Sequence, residues 1–324
     1  MTDASGGRVT VVAPDGMPEV RPGDDLVALL LPLVDLVDGD VVVVTSKVVS
    51  KAEGRLVAGA DRDAALAGET VRVVARRGPT TIVRTALGLT MAAAGIDRSN
   101  VAAGTMALLP RDPDASARAL RRAIADRTGR NVGVVVTDTA GRAWREGQTD
   151  IAIGAAGLLV LEDHAGKVDR HGNELAVTAP AVADEIAGVA ELAQGKLRGR
   201  PFAVVRGRAD LVLPPGDDGP GAAALVRPED ADLFGYGARE AVVRALVGDP
   251  ADRAGFGQAA TPEELVAVVH EVTGQPARVE GSDVVVSGSA DPRLAPLAHA
   301  HGWTTEAVVG SDDRVESRLR PASP

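Results

Sequence analysis

Three apolar segments of the chain are followed at once by hydroxyl, carboxylate and cationic side chains. In the first, "VVVVTSKVVSKAEGR", four valines precede Ser46 and Lys51 on a predicted turn. These two residues suit a phosphate group, because a hydroxyl donates one hydrogen bond and an ammonium supplies a compact positive charge. An exposed basic loop accounts for the same residue types equally well, since the segment has no glycine-rich Walker loop.

The segment "VVVTDTAGRAWREGQTDIAIG" has the densest polar cluster. An apolar strand leads into Asp138 and Thr139, and Arg142, Arg145 and Gln148 follow in a predicted loop. A carboxylate and a hydroxyl at the end of a strand are typical of Mg²⁺–nucleotide sites, and arginines neutralise phosphate or carboxylate charge. A structural loop between two apolar strands would not need so many charged groups, so the residues favour a functional site.

The segment "AAAGIDRSNVAAG" places Asp97 and Asn100 among small residues. Asp97 could bind a hard cation, and Asn100 could contact a base or a phosphate oxygen. The alternative is an Asx-turn in which Asp97 caps a short helix. Taken alone, this segment favours the Asx-turn.

Composition excludes several classes of protein and of site. The 324 residues include no cysteine, which excludes disulfides and thiolate metal sites and favours hard ions such as Mg²⁺ or Mn²⁺. A net charge of −10 argues against a general nucleic-acid-binding protein. The N-terminus does not resemble a signal peptide, and "LVALLLPLVDLV" is too short to span a membrane. We therefore expect a soluble cytoplasmic protein, with its five histidines at the surface.

The elements expected around these clusters alternate between strands and helices. Asp24 or Asp25 is the expected N-cap of a helix in "LVALLLPLV", and a hairpin is expected around "RRGPT". Helical periodicity marks "SARALRRAIADRTG", with Gly129 as its C-cap, and "APAVADEIAGVAELAQG". "RPFAVVRG" is a further strand, and "LVLPPGDDGPGAAALVRPED" is expected to be a mobile loop.

The sequence predicts a domain boundary near Gly248, with domains at residues 1–248 and 249–324. The helix "DLFGYGAREAVVRALVG" is expected to close the first domain. The remainder is expected to be a small α/β appendage, built from a helix in "TPEELVAVVHEVTG", a strand in "DVVVSGS" and a helix in "PRLAPLAHAHG".

With these clusters identified, the chain resembles the coenzyme F420-0:L-glutamate ligase (F420 γ-glutamyl ligase) family. The resemblance is carried, in chain order, by "VVVVTSKVVSKAEGR", "RTALGLTMAAAGIDRSNV", "VVTDTAGRAWREGQTDIAIGAAG" and "VADEIAGVAELAQGKLRGRPFAVVRG". It implies a mixed α+β fold with mainly antiparallel sheets, flanking helices and a homodimer whose site lies near the subunit interface. Some longer relatives carry a fused nitroreductase-like domain. The segment after Gly248 is shorter than the usual ~100–200-residue domain, so we expect no flavin chemistry.

The resemblance also implies an activity and its site. Such enzymes phosphorylate the terminal carboxylate of the deazaflavin precursor with GTP, and the amine of L-glutamate then attacks the acyl phosphate; later additions extend a γ-linked chain. Two divalent ions, Mg²⁺ or Mn²⁺, are implied, and K⁺ is a further candidate. Position by position, the resemblance implies GTP contacts at Met17, Pro18, Glu19, Val20, Ser46, Lys51 and Asn100, and metal ligands at Asp97, Asp138 and Thr139. The segment Gln194 to Pro201 matches a nucleotide-proximal segment more weakly.

Arg142, Arg145 and Gln148 lie in a characteristic motif, and their charge and polarity lead us to assign them to binding of the acidic substrates in catalysis. Two other functions fit the residues. One is a GTP- or ATP-dependent ligase for a different acidic small molecule, and the other is a nucleotide- or metal-binding regulator without turnover. Stimulation of GTP hydrolysis by glutamate and the deazaflavin together would distinguish them.

Overall fold

Valine-rich strands form the centre of the first of two units into which the chain divides. The computed structural model describes residues 7–228, 231–288, 290–309 and 315–322, and the units are Met1–Val226 and Arg227–Pro324. Each unit has its own core of buried apolar side chains. The mixed α+β class and the mainly antiparallel sheets are confirmed.

The first unit contains one five-stranded sheet and two smaller sheets. Its strands are β1 (Thr10–Val12), β2 (Val41–Thr45), β3 (Leu56–Ala58), β4 (Thr70–Arg77), β5 (Thr80–Thr85), β6 (Thr90–Ala92), β7 (Thr105–Ala107), β8 (Gly133–Arg142), β9 (Arg145–Ala156) and β10 (Phe202–Arg206). The large sheet has the order β1-β10-β2-β8-β9, and the smaller ones are β3-β7 and β4-β5-β6. Within the large sheet β2 and β8 run parallel, so their carboxyl ends lie at the same edge.

The helices of the first unit are α1 (Leu26–Leu30), α2 (Ser46–Ala52), α3 (Arg62–Glu69), α4 (Pro113–Thr128) and α5 (Val182–Gln194). The predicted caps are confirmed: Asp25 accepts the Val27 and Ala28 amides at the start of α1, and Gly129 ends α4 in a left-handed conformation. The hairpin predicted around "RRGPT" is formed by β4 and β5.

Both faces of the large sheet are buried, which explains the unbroken run of valines in β2. Val42 and Val44 pack into one core together with Ile124 of α4. Val41 and Val43 point to the other face and pack into a second core. That second core includes Ile186 and Ala190 of α5, so α4 and α5 lie on opposite faces of the sheet.

The turn predicted at Ser46–Lys51 is wrong, because these residues form helix α2. Val48 and Val49 are buried and belong to the core that α4 also contacts. Ser50 and Lys51 are buried as well, so the helix is enclosed despite its polar composition. Burial of the two valines favours the helix over the exposed turn that the polar residues alone suggest.

In the segment predicted to be a mobile loop, residues 211–230, a buried arginine holds residues 213–218; Glu229 and Asp230 lie outside the described residues. Arg121 of α4 donates hydrogen bonds to the carbonyl oxygens of Leu213, Pro214 and Asp217, and it pairs with the Asp218 carboxylate at 3.1 Å. This contact was not predicted, because Arg121 lies far from the segment in the sequence.

The described residues of the second unit form a four-stranded antiparallel sheet and three α-helices. Its elements are α6 (Ala238–Val247), α7 (Pro262–Thr273), β11 (Ala277–Glu280), β12 (Asp283–Ser287), α8 (Leu294–Ala300), β13 (Trp303–Val309) and β14 (Val315–Pro321). The sheet has the order β11-β12-β14-β13. The predictions of α7, β12 and α8 are confirmed, whereas β11, β13 and β14 were not predicted.

Helix α6 belongs to the second unit, although the sequence suggested that it closes the first domain. Arg244 of α6 pairs with Asp252 at 2.6 Å, and the Tyr236 ring that precedes the helix packs edge-on against Phe256. These contacts join α6 to the segment that follows it. The units divide after Val226, and the extent of the ligase domain to Gly248 stays a prediction.

His299, expected at the surface, is buried on α8 with its ring against Phe256. Among the described residues, no helix is both long enough and apolar enough to cross a membrane.

Candidate functional site

The parallel pairing of β2 and β8 brings the first two polar clusters together. Thr45 lies opposite Thr137, so the next residues, Ser46 and Asp138, are neighbours at the carboxyl end of the pair. The Ser46 hydroxyl donates to Asp138 Oδ1 at 2.9 Å. Both predicted site residues therefore lie in one hydrogen-bonded group.

Asp138 is a carboxylate held where its charge is unfavourable. Burial, with a smaller contribution from the nearby carboxylates of Asp150 and Asp97, raises the pKa of Asp138 to about 7 against the opposing hydrogen bonds from the Ser46 hydroxyl and the Thr139 amide. A cation at this position would relieve both the desolvation and the repulsion. Asp138 thus has the electrostatic character of a cation ligand.

Asp97 forms the Asx-turn that the sequence favoured. Its Oδ1 accepts the Ser99 amide at 2.7 Å, and its Oδ2 accepts the Ser99 hydroxyl at 2.9 Å. Lys47 of α2 forms an ion pair with the same carboxylate. Burial opposes ionisation of Asp97, but the hydrogen bonds from Lys47 and Ser99 outweigh it and lower its pKa.

Thr139 takes part in a second cluster on the opposite face of β8, as expected for consecutive residues of a strand. Its hydroxyl donates to Asp150 Oδ1 at 2.7 Å, and Thr137 donates to the other Asp150 oxygen at 3.2 Å. Lys196 donates to Thr139 at 2.6 Å and pairs with Asp150 at 3.1 Å and with Glu191 at 2.6 Å. The Thr139 hydroxyl is therefore already used within this cluster.

Lys196 lies at the centre of this cluster and belongs to the weakly matched segment after α5. Burial lowers the pKa of Lys196, but the contacts with Glu191 and Asp150 outweigh that effect and raise it. Lys196 is thus a permanently charged group, and its side chain is 56% exposed. Its ammonium is held by Thr139, the buried Asp150 carboxylate and Glu191.

The donor set fits a divalent cation bound together with a polyphosphate. Among the described residues, no three His, Cys, Asp or Glu side chains are grouped so as to hold a metal by themselves. Mg²⁺, however, is usually bound by one or two carboxylates together with substrate phosphates and water. Asp97 and Asp138, whose charges interact, meet that requirement. The metal roles of Asp97, Asp138 and Thr139 stay predictions.

Lys51, a predicted GTP contact, is buried in the last turn of α2 and forms an ion pair with Glu19. Its side chain is 7% exposed, whereas that of Glu19 is 72% exposed. The structure therefore joins two of the predicted contact segments. Asn100 is exposed and adopts a left-handed backbone conformation after the Asp97 turn.

Arg142, Arg145 and Gln148 lie on a β-hairpin rather than in a loop. Residues 138–142 of β8 pair only with β9, because β2 ends opposite Thr137. Arg142 pairs with Arg145 at the tip of this two-stranded ribbon, and residues 141–148 are exposed. At about 3.3 Å per residue, the tip lies about 13 Å from Asp138 along the strand.

Lys47 and Glu191 were not predicted as site residues from the sequence, and Asp150 was not given a role. Lys47 carries a weak signal, since it directly follows Ser46 at the end of a strand. Glu191 and Asp150 meet only because α5 packs on β9, where the Asp150 amide donates to Glu191 at 3.0 Å. Sequence spacing alone does not reveal that contact.

Comparison with known proteins supplies the context for these clusters. The sequence profile of the family described as F420-0:Gamma-glutamyl ligase matches residues 16–207. A protein from Archaeoglobus fulgidus named coenzyme F420:L-glutamate ligase is 42% identical over 219 residues, which is 62% of this chain and 88% of the relative.

Two further relatives bear the same name. The protein from Methanothermobacter thermautotrophicus is 36% identical over 251 residues, covering 70% of this chain and 98% of the relative. The protein from Methanopyrus kandleri is 39% identical over 238 residues, covering 67% and 93%. The profile match includes both faces of the candidate site.

Proposed function

The chain belongs to the F420-0:gamma-glutamyl ligase family, and from that premise we propose that it is a GTP-dependent ligase that joins L-glutamate to coenzyme F420-0. Further γ-linked glutamates would be added by the same reaction. The observation that carries the proposal is the match over residues 16–207, which includes both clusters around Asp138 and Asp150. Resemblance of the separate motifs supports the GTP dependence.

The reaction has two chemical steps. An oxygen of the terminal carboxylate of F420-0 attacks the γ-phosphorus of GTP, which breaks the bond to GDP and forms an acyl phosphate. The amine of glutamate then attacks the acyl carbon, phosphate leaves, and the amine loses a proton. Each step brings anionic reactants together, so cationic groups must offset their charge.

The residues around Asp138 are suited to binding phosphates and cations. Asp97 and Asp138 would hold Mg²⁺ or Mn²⁺, and a divalent ion bound there offsets phosphate charge as a Lewis acid. Ser46 fixes the orientation of the Asp138 carboxylate through its hydrogen bond. Lys47 is positioned by Asp97, and Lys51 provides a second cation on the same helix.

The cluster on the other face of the sheet presents a cation to the same edge. Thr139, Asp150 and Glu191 hold the Lys196 ammonium, and the Lys196 side chain is 56% exposed, so a phosphate or carboxylate that binds there would replace one of these three acceptors. Arg142, Arg145 and Gln148 on the ribbon would bind the acidic substrates. The side chain of Thr139 orients Asp150 and Lys196, and a metal contact from Thr139 remains part of the proposal.

The test is incubation of the purified protein with GTP, Mn²⁺, L-glutamate and F420-0, followed by mass spectrometry. We expect mass increments of glutamyl units and one GDP per bond formed. GDP without a glutamylated product would indicate a ligase for another acidic acceptor. Absence of GDP would favour the regulator without turnover.

A pair of variants connects the reaction to the site. Asp138→Asn keeps an oxygen that can accept the Ser46 hydroxyl but loses the charge, so we expect at least a hundredfold loss of product formation. Asp63→Asn is the control, because the Asp63 side chain is 99% exposed. Equal activity of both variants would contradict the role of Asp138.

We also propose that the protein is a homodimer, as the family resemblance implies, and that K⁺ assists the reaction. Light scattering of the purified protein tests the first point. Replacement of K⁺ by Na⁺ in the ligase assay tests the second, and an unchanged rate would count against it.

A further inference from the structure

The tip of the β8–β9 ribbon carries an unusually exposed aromatic side chain. Trp144 is 84% exposed. The chain has only two tryptophans, one tyrosine and three phenylalanines, so aromatic residues are scarce, and yet one of them is exposed at a hairpin tip. Trp303, the other tryptophan, is buried in the core of the second unit. An aromatic side chain placed in solvent favours a role in binding.

The backbone at Trp144 argues further against a merely structural role. Its φ angle is +59°, a left-handed conformation that is unfavourable for a bulky residue. Two-residue hairpin turns ordinarily place Gly, Asn or Asp at such positions. Residues held in unfavourable backbone conformations cluster at ligand-binding sites. Burial does not offset the cost at Trp144, since the ring is exposed.

The neighbours of Trp144 define the chemistry of its ligand. Arg142 and Arg145 are paired across the ribbon on either side of the turn. An aromatic platform flanked by two guanidinium groups suits a planar heteroaromatic ring that carries anionic groups. Purely apolar ligands and cationic ligands would not benefit from the arginines.

The position of the ribbon indicates which reactant would bind to Trp144. The tip lies about 13 Å from Asp138 along β8. A ribityl-phosphate-lactyl arm of about ten bonds spans a similar distance, at about 1.2 Å per bond. A ring on Trp144 would therefore leave the terminal carboxylate near Asp138, where phosphoryl transfer is proposed.

We infer that Trp144 is a stacking platform for the deazaflavin ring of the acceptor, with Arg142 and Arg145 binding its anionic groups. This inference rests on the proposed function, because it takes the acceptor from that proposal. GTP is assigned instead to the segments around Lys51 and Asn100. Trp144 thereby determines specificity for the acceptor and not for the nucleotide.

The test measures equilibrium binding without turnover. F420-0 is separated into bound and free fractions by ultrafiltration, with no GTP present, and quantified by its own fluorescence. For Trp144→Ala we expect the Kd for F420-0 to rise about five- to 150-fold, as for a nucleobase that loses an aromatic partner. Trp144→Phe keeps a ring and is expected to stay within about threefold of the wild-type Kd. Val177→Ala, at a residue 91% exposed, is the matched control and is expected to leave the Kd unchanged.

Several outcomes would overturn the inference. An unchanged Kd in Trp144→Ala would do so, and so would weakened binding of GTP in place of F420-0. A change in oligomeric state in Trp144→Ala would assign the side chain to a subunit contact instead. Circular dichroism of each variant establishes that the comparison is between folded proteins.

The inference and the proposed function can fail separately. If the wild-type protein binds F420-0 through Trp144 but forms no glutamylated product, the proposed ligase activity is refuted and the stacking role of Trp144 is retained. Product formation with equal F420-0 affinity in wild type and Trp144→Ala would refute the platform alone. Wild-type protein that does not bind F420-0 would refute both.

Discussion

At the scale of single residues, Lys51 is a buried cation that forms an ion pair with Glu19, whose side chain is mostly exposed. A buried ion pair is often no more stabilising than an apolar side chain of similar volume. A lysine retained there for stability alone is therefore hard to justify. A role in binding phosphate explains it.

Lys51→Met tests this role. We expect the KM for GTP to rise about 10- to 150-fold, since a hydrogen bond to a charged group contributes roughly 1.5–3 kcal/mol. The free energy of unfolding should change by less than about 1 kcal/mol, because methionine replaces the buried stem. Steady-state kinetics and urea denaturation measure the two quantities.

Arg127→Met is the matched control for Lys51→Met. Arg127 on α4 also forms an ion pair, with Asp25 at the start of α1, but outside the predicted GTP-contact positions. Its KM for GTP should equal the wild-type value. A loss of stability in Lys51→Met without any change in KM would show that the lysine is structural.

The sequence identified the types of the site residues better than their contacts. Ser46 and Asp138 were both singled out, yet their hydrogen bond depends on the parallel register of strands far apart in the chain. Asp97 could be placed in its Asx-turn because that contact is local. Lys47 was overlooked because its partner lies in another segment.

At the scale of elements, Arg121 connects helix α4 to a proline-rich segment through hydrogen bonds and an ion pair. The side chain is 6% exposed, and its guanidinium donates to the main-chain oxygens of Leu213 and Asp217 and pairs with the Asp218 carboxylate. Removing the guanidinium would take away one buried, charged donor that serves several acceptors of this segment at once.

Arg121→Met should therefore lower the free energy of unfolding by about 3–5 kcal/mol. Arg122→Met is the comparison, because Arg122 pairs with the same Asp218 carboxylate but is 69% exposed. A surface pair contributes about 0–1 kcal/mol. If urea denaturation shows that both variants lose the same free energy of unfolding, the role of Arg121 in holding this segment is contradicted.

The packing of α5 on β9 has a pH-dependent component. Asp184 of α5 accepts the Ala152 amide at 2.8 Å, and burial raises the pKa of Asp184 despite that hydrogen bond. The folded chain therefore binds this proton more tightly than the unfolded chain. The contribution to stability is complete below the ordinary pKa of 3.8 and is lost as the pH rises through the raised value.

Asp184→Asn removes the titration and keeps an oxygen that can accept the amide. Its stability relative to the wild type should thus increase as the pH rises from about 4, and then level off. Urea denaturation at a series of pH values measures the difference. A difference that stays constant with pH would contradict the assignment.

Elements with a regular apolar pattern were predictable, and those governed by distant contacts were not. Strand β2 and helices α4 and α5 follow from local periodicity and caps. Helix α2 was mistaken for a turn because its polar residues are buried by the rest of the unit.

At the scale of the whole molecule, each unit has a separate core. Leu265 of α7 is fully buried in the second unit, and Leu30 of α1 is buried in the first. We expect Leu265→Ala to cost about 2–5 kcal/mol in the second unit and Leu30→Ala to cost a similar amount in the first.

Differential scanning calorimetry separates these effects. Leu265→Ala should lower the melting temperature of one transition and leave the ligase activity intact below it, whereas Leu30→Ala should lower the temperature at which activity is lost. A single transition that both variants shift equally would show that the units unfold together.

The order of strands in the large sheet was beyond sequence analysis. Strand β10 lies between β1 and β2, with Val205 opposite Val11 and Val204 opposite Val42. Nothing in the local pattern of these valines specifies their partners. The register is set by the two cores that the completed sheet buries.

The same strand order affects how the protein is made. β1 and β2 leave the ribosome early, but β10 is needed to join them. At about 5–20 residues per second, about 10–30 s separate the synthesis of β2 from that of β10. During that interval an apolar strand edge is open in the nascent chain, and pairing across such a long sequence separation is slow. Completion of the large sheet, and burial of this edge, therefore has to wait until β10 has been synthesised.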